Sequence, residues 1–150
     1  LYDLGIAQDL REMPFPRLST VATQNPALRT QLGGLFENAL LLSIIADQAR
    51  YGDISGWRKA GSESPELDFV WRNQEQLIAI ECKATRKISM KHWSSLKAYH
   101  ESIGESGVHA IGVLVSAAPF EIIRSRAGTL INLPLYLANG EMLRRCLSFD

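Results

Sequence analysis

From Gly33 to Arg50 apolar residues recur at helical spacing. Leu35, Ala39, Leu42, Ala46 and Ala49 form one stripe, and Phe36, Leu40, Ile44 and Ile45 fill other faces. The pattern predicts a largely buried helix opened by Gly33-Gly34. Upstream, Pro14, Pro16 and Pro26 each restrict the residue before them and discourage a continuous helix. That region reads as a short helix near Leu4–Arg11 followed by a loop. From Ile54 the period changes to two. Ile54–Lys59, Leu67–Trp71 and Leu77–Lys83 are short, rich in β-branched and aromatic residues, and separated by turn formers, so they predict an antiparallel meander whose last two strands form a hairpin at Asn73. Ser89 suits the N-cap of a helix with a stripe at Met90, Trp93, Leu96, Tyr99 and Ile103, stopped at Gly104. His109–Val115 reads as a further strand. Leu130–Leu137, interrupted by Pro134, suits an edge strand. The order is helix, three strands, helix, strand and an extra strand, an α/β arrangement with a mixed central sheet flanked by helices.

Composition keeps this picture within one ordinary domain. The 150 residues, 46% hydrophobic and 21% charged, suffice for a single core, and no repeat or linker divides the chain, so 1–150 is read as one domain. The longest apolar stretch, Ala39–Leu42 continuing past Ser43 to Ala46, is far short of the roughly 20 residues that span a bilayer. No membrane association is expected. Cys82 and Cys146 are far apart and outside any CxxC or Cys/His pattern, which argues against a disulfide scaffold or zinc site and makes a reducing cytoplasm the expected location. The opening Leu1-Tyr2-Asp3, without Met or a signal-peptide core, reads as the start of a piece cut from a longer chain.

Candidate chemistry centres on Glu81-Cys82-Lys83 at the end of an apolar strand. Period two puts Glu81 and Lys83 on one face and Ile78, Ile80 and Cys82 on the other. On the preceding strand Glu66 and Asp68 share a face, with Leu67, Phe69 and Trp71 opposite, and a suitable register sets Asp68 beside Glu81. Two carboxylates so placed repel unless a cation joins them, and Mg²⁺ or Mn²⁺ suits oxygen ligands. Lys83 could then orient a hydroxide or offset charge on a phosphoryl group. Taken alone, Glu81–Lys83 fits better a surface ion pair worth less than about 1 kcal/mol, and only its context favours chemistry.

An Asp on the preceding strand, Glu37 inside an apolar helix and this order of elements together resemble the PD-(D/E)XK nuclease superfamily, with Glu66-Leu67-Asp68-Phe69-Val70 and Ile80-Glu81-Cys82-Lys83 as its motifs. Leu67, not Pro, precedes Asp68; Pro65 lies three residues before it. A closer resemblance covers almost the whole chain. Leu1-Tyr2-Asp3-Leu4-Gly5-Ile6-Ala7, Gly34-Leu35-Phe36-Glu37-Asn38, Trp57-Arg58, Glu66-Leu67-Asp68-Phe69-Val70, Glu81-Cys82-Lys83-Ala84, Ser95-Leu96-Lys97 and Leu133-Pro134-Leu135-Tyr136 look like the C-terminal nuclease-like domain of unknown function in prokaryotic AAA+ type ATPases. That resemblance implies a restriction-endonuclease-like core and an upstream ATPase domain in the same chain. It implies metal-ligand carboxylates at Glu37, Asp68 and Glu81, a further ligand in the Cys82 carbonyl, and Lys83 as the group that positions the base. Lys97 matches a basic or amide position that could contact the scissile phosphate; four residues after Trp93, it fits better a side chain snorkelling along the apolar stripe.

Charge is separated along the chain although sixteen acids balance sixteen bases. Glu63, Glu66, Asp68, Glu75 and Glu81 lead up to the motif with only Arg72 between them, and Lys83, Arg86, Lys87, Lys91 and Lys97 follow it without an acid. Such a division fits a cation site beside a DNA-receiving surface at Arg86, Lys87, Lys91 and Lys97, and equally a solvated face with local charge balance. No Walker A string is present and His92, His100 and His109 lack zinc spacing, so neither P-loop binding of ATP nor a helical zinc pair is expected, and the expected cofactor is Mg²⁺ or Mn²⁺. Trp57, Trp71 and Trp93 fall in apolar periodic segments, which favours core packing over base stacking. The leading expectation is a Mg²⁺-dependent DNA endonuclease domain. The alternatives are a non-catalytic DNA- or protein-binding regulatory module of the ATPase, and a structural oligomerisation domain using the buried helix and the Leu130–Leu137 run as its homo-oligomer interface.

Overall fold

The computed structural model describes residues 26–46, 53–61, 64–73, 76–104, 110–125 and 128–149. The helix expected near Leu4–Arg11 lies outside them. Helix α1 (Pro26–Ala46) starts at a proline, whose missing N–H and fixed φ suit a first helical turn. It begins seven residues before the expected start, so Gly33-Gly34 lies within the helix. The apolar run after these glycines supplies packing that outweighs their poor helix propensity, about 1 kcal/mol each relative to alanine.

Strands β1 (Ile54–Arg58), β2 (Glu66–Asn73) and β3 (Gln76–Lys83) form the expected antiparallel meander. After β3 a 3-10 turn (Met90–Trp93) leads into helix α2 (Ser94–Ile103), with Gly104 at its C-cap. The chain then returns as β4 (Ala110–Ser116), parallel to β3. Crossing over through a helix makes the sheet mixed, as parallel neighbours require. Met90 departs from the expected stripe: it is 68% exposed, because the 3-10 turn does not continue the helical face of Trp93, Leu96 and Tyr99.

The C-terminal third differs most from the periodicity reading. An unanticipated strand β5 (Glu121–Ser125) takes the sheet edge, and β6 (Gly128–Pro134) inserts between β4 and β5, giving the order β1-β2-β3-β4-β6-β5. The Leu130–Leu137 run is therefore an interior strand followed by a 3-10 turn (Leu135–Leu137), not an edge. Pro134 is tolerated because it is the last strand residue, where its missing N–H falls at the end of the ladder. A short helix α3 (Gly140–Cys146), also unanticipated, is capped by Asn139, whose side chain accepts the Met142 N–H at 2.8 Å.

Helices cover both faces of the sheet. Leu40 and Ile44 of α1 and Leu143 and Cys146 of α3 pack on Ile78, Ile80, Cys82, Val113, Val115, Ile131 and Leu133. Trp93, Leu96 and Tyr99 pack on Ala79, Leu114 and Leu130 on the opposite face. The three tryptophans serve packing, as expected. Trp71 and Trp93 are buried, Trp71 lies under the Arg144 guanidinium at 5.6 Å, and Trp57 meets the Tyr99 ring edge-on at 5.2 Å.

One polar network sits inside this apolar frame. Ser116 Oγ donates to Asn132 Oδ1 at 2.7 Å, Asn132 Nδ2 donates to the Ala118 and Pro119 carbonyls, and the Ala118 N–H donates to Ser116 Oγ at 3.0 Å. Ser116 and Asn132 are fully buried, so these bonds fix the turn that leaves β4. Replacing Asn132 by leucine keeps the volume but leaves Ser116 and two carbonyls without their partner. We expect Asn132→Leu to lower unfolding free energy by about 2–4 kcal/mol in a urea titration, and a change below about 0.5 kcal/mol would contradict this role.

Candidate metal and phosphate site

A β-bulge builds the site. Ser55 pairs with Val70 and Trp57 with Leu67, so Gly56 of β1 faces both Asp68 and Phe69 of β2. The extra residue breaks the period-two alternation expected for β2. Leu67 joins Val70 on the α2 side, while Phe69 and Trp71 face α1 and α3. A β-carbon on Gly56 would stand 3.8 Å from the Asp68 carbonyl, ordinary contact, so the glycine is not needed for space.

The bulge also ends the β2–β3 ladder. Regular pairing stops at Phe69–Ile80, and the next free amide, Cys82 N–H, donates instead to Asp68 Oδ2 at 2.6 Å. The same register carries Asp68 to the level of Glu81, as the hairpin reading required. Glu81 and Lys83, two apart on β3, share a face, and Glu81 Oε1 is ion-paired with Lys83 Nζ. Glu37 reaches the same region from α1. It is half-buried, and the charges of Asp68 and Lys83 act on it.

Burial dominates the electrostatics of all three carboxyls. Glu81 is 4% exposed, and desolvation pushes its pKa up to about 7 against the bond from Lys83, with Asp68 and Glu37 raising it further. Asp68 is raised by desolvation despite the Cys82 amide and Lys83, and Glu37 by desolvation and then by Asp68. Desolvation works against the Lys83 ammonium, but its bond to Glu81 and the surrounding carboxylates raise its pKa overall, so it stays protonated. Glu66, exposed and ion-paired with Arg58, adds negative potential at Glu37 and Asp68, a contribution the motif reading overlooked.

These residues fit a hard divalent cation by donor chemistry. Glu81 Oε2 is buried without a hydrogen-bond partner among the described residues, and oxygen ligands dominate the cluster, as Mg²⁺ and Mn²⁺ prefer. Among the described residues no group of three Asp, Glu, His or Cys side chains is arranged to hold an ion.

The basic residues follow the motif strand in the chain. Arg86, Lys87 and Lys91 are exposed on the segment that follows β3, and Lys97 is half-buried on α2. Lys83 is the cation whose field acts on Glu37, Asp68 and Glu81 alike. The segment after β3 is tied down locally. Thr85 Oγ donates to the Lys87 carbonyl at 3.0 Å, and the Thr85 carbonyl accepts the Ala117 N–H at 2.9 Å. Thr85 carried no sequence signal, because its partners are backbone groups of the segment after β3 and of the turn after β4.

A protein-family profile described as a domain of unknown function matches residues 32–136. The chain belongs to the DUF4143 family. No curated protein matches it. The DUF4143 match spans Glu37, Asp68, Glu81 and Lys83 and stops before α3, so the whole carboxylate cluster lies within the family's region.

A carboxyl whose pKa is higher in the folded than in the unfolded chain binds its proton more tightly when folded. Its contribution to stability is complete below the ordinary carboxylate value and is lost as pH rises through the folded value, about 7 for Glu81. From 4.5 to about 7 this is worth about 3 kcal/mol at Glu81. In EDTA the DUF4143 chain should therefore melt at lower temperature near pH 8 than near about pH 5, and Glu81→Gln should flatten most of that slope. A melting temperature that rises across this window would be the opposite of the expected sign.

Proposed function

We propose that this chain is a divalent-metal-dependent DNA endonuclease domain of the PD-(D/E)XK, restriction-endonuclease-like kind, working beside an upstream AAA+ type ATPase domain. The observation that carries the reading is the buried Glu81 carboxylate. One oxygen is paired with Lys83, the other has no partner among the described residues, and two further carboxylates bear on it from different elements. A structural ion pair would not need Asp68 and Glu37 close enough to raise its pKa. The antiparallel meander, the helical crossover and the parallel β3–β4 pair are what a restriction-endonuclease-like core requires, and they support the assignment without carrying it.

When bound, Mg²⁺ or Mn²⁺ supplies Lewis-acid stabilisation of phosphoryl oxygens and lowers the pKa of an attacking water. Glu37, Asp68 and Glu81, with the Cys82 carbonyl, would hold it. Asp68 is oriented by the Cys82 amide, so its remaining lone pairs are aimed by the backbone of the very strand that carries Glu81. Lys83, a donor without an acceptor, cannot take a proton from water. It orients the attacking oxygen and offsets charge on the phosphoryl group as the P–O bond to the leaving group breaks. Arg86, Lys87, Lys91 and Lys97 would receive flanking phosphates, which position the backbone without reading sequence.

A second reading, a non-catalytic DNA- or protein-binding module of the ATPase, is favoured by the lack of a three-ligand group among the described residues. Metal and activity separate the two. Purified protein with Mg²⁺ or Mn²⁺ should nick supercoiled DNA, and Glu81→Ala or Lys83→Ala should each slow nicking by about a hundredfold or more. Mn²⁺ should raise the melting temperature of the parent and not of Glu81→Ala. Unchanged cleavage in both variants would sink the catalytic assignment; DNA binding with neither cleavage nor a metal-dependent melting shift would establish the module reading.

A further inference from the structure

His92 has no part in the chemistry above, yet its ring is held in a defined state within the electrostatic reach of Lys83. It lies in the 3-10 turn Met90–Trp93, half-buried, next to Trp93, which is 1% exposed and anchors the turn in the core. The Ser89 N–H donates to His92 Nδ1 at 3.0 Å, and Ser89 Oγ lies 3.4 Å from the same nitrogen. The His92 N–H in turn donates to the Ser89 carbonyl at 2.9 Å, so backbone and ring are pinned together. An Nδ1 that accepts from a backbone amide carries no proton, because a second N–H there would face the first. The proton of the neutral ring is therefore on Nε2, at the far side of the imidazole, where no hydrogen bond to a described residue engages it.

Positive charge acts on the ring that carries this donor. Burial holds the His92 pKa below the ordinary histidine value, and the positive charges of Lys91 and Lys83 hold it lower still. The ring thus stays neutral while sitting in the field of the cation that pairs with Glu81. Arg86 and Lys87, exposed just before the turn in the chain, and exposed Lys91 within it carry charge that attracts phosphate over a distance but does not fix its position.

We propose that His92, locked by Ser89 as the Nε2–H tautomer, donates a hydrogen bond to a backbone phosphate oxygen of the DNA held at the carboxylate cluster. This rests on the nucleic-acid reading of that site and adds to it a neutral, directional contact among flexible cations. His92 is a positioning residue here: lysine ammoniums rotate freely, whereas a ring tied at Nδ1 presents one donor in one direction.

The test is fluorescence anisotropy of a short labelled DNA duplex titrated with the chain in Ca²⁺, repeated over a range of salt concentrations. His92→Ala should weaken binding by about threefold to tenfold, the loss of one neutral hydrogen bond. The slope of log affinity against log salt should not change, since no charge is removed, whereas Lys91→Ala should reduce that slope by about one. His92→Gln, whose amide keeps an acceptor for Ser89 and a donor beyond it, should restore affinity. Without any substitution, the His92 ring nitrogens should report the Nε2–H tautomer by NMR, and that proton should shift on adding the duplex. Parent-like affinity in His92→Ala together with a lowered melting temperature would reduce His92 to a cap of the turn and overturn the proposal, as would a smaller salt slope in that variant or an unmoved Nε2–H signal. A parent chain that does not bind DNA would instead overturn the nucleic-acid reading, and this contact with it.

Discussion

The hydrogen bond from the Cys82 amide to the Asp68 carboxylate joins the fold to its candidate chemistry. Past Phe69–Ile80 the β2–β3 ladder stops, and a strand amide left without its backbone acceptor would be costly in a partly buried position. The Asp68 side chain takes the place of the missing carbonyl. It can do so because the bulge opposite Gly56 inserts one residue and reorients the strand there. A single irregularity thus closes the backbone accounting, fixes a carboxylate and sets it level with Glu81.

Burial of like charges follows from that placement. Glu81 is almost fully covered, and only one of its oxygens is satisfied by Lys83. Retaining an incompletely satisfied carboxylate beside Asp68 and Glu37 lowers the stability of the metal-free protein near neutral pH. The surrounding core bears this: β4 and β6 are apolar strands sandwiched between helices, and Leu40, Ile44 and Leu143 are fully buried against them. The cluster also lies where β3, β4 and β6 end together, since Lys83, Ser116 and Pro134 share one level. Carboxyl ends of parallel strands are where α/β sheets commonly leave room for ligands.

Much of the fold was legible because its elements have clean periods. The α1 stripe, the three meander strands, the 3-10/α2 segment from Ser89 to Gly104 and β4 each announce themselves by helical or alternating spacing. Failures arose where spacing is silent about neighbours. Pro134 made the Leu130–Leu137 run look like an edge, but a terminal proline removes no interior bond. The true edge, Glu121–Ser125, is only five residues long and carries a charge near each end, so its period could not be distinguished from a loop. Met90 shared a helical spacing with Trp93 yet points to solvent because one turn is wound as a 3-10 helix.

The amino-acid sequence by itself determined the α/β order of elements, the pairing of Glu81 with Lys83 on one face of an apolar strand, and the division of the chain into an acidic run followed by a basic one. These are local properties, decided by residue type and a period of two or 3.6. Only the tertiary structure decided that Asp68 turns at a bulge to cap the Cys82 amide, that Glu37 arrives from a separate helix, and that His92 is held by Ser89 as a donor. Each depends on where a ladder ends or on which nitrogen a backbone amide reaches, and such constraints arise between elements distant in the chain or in a single turn's geometry, where periodicity carries no information.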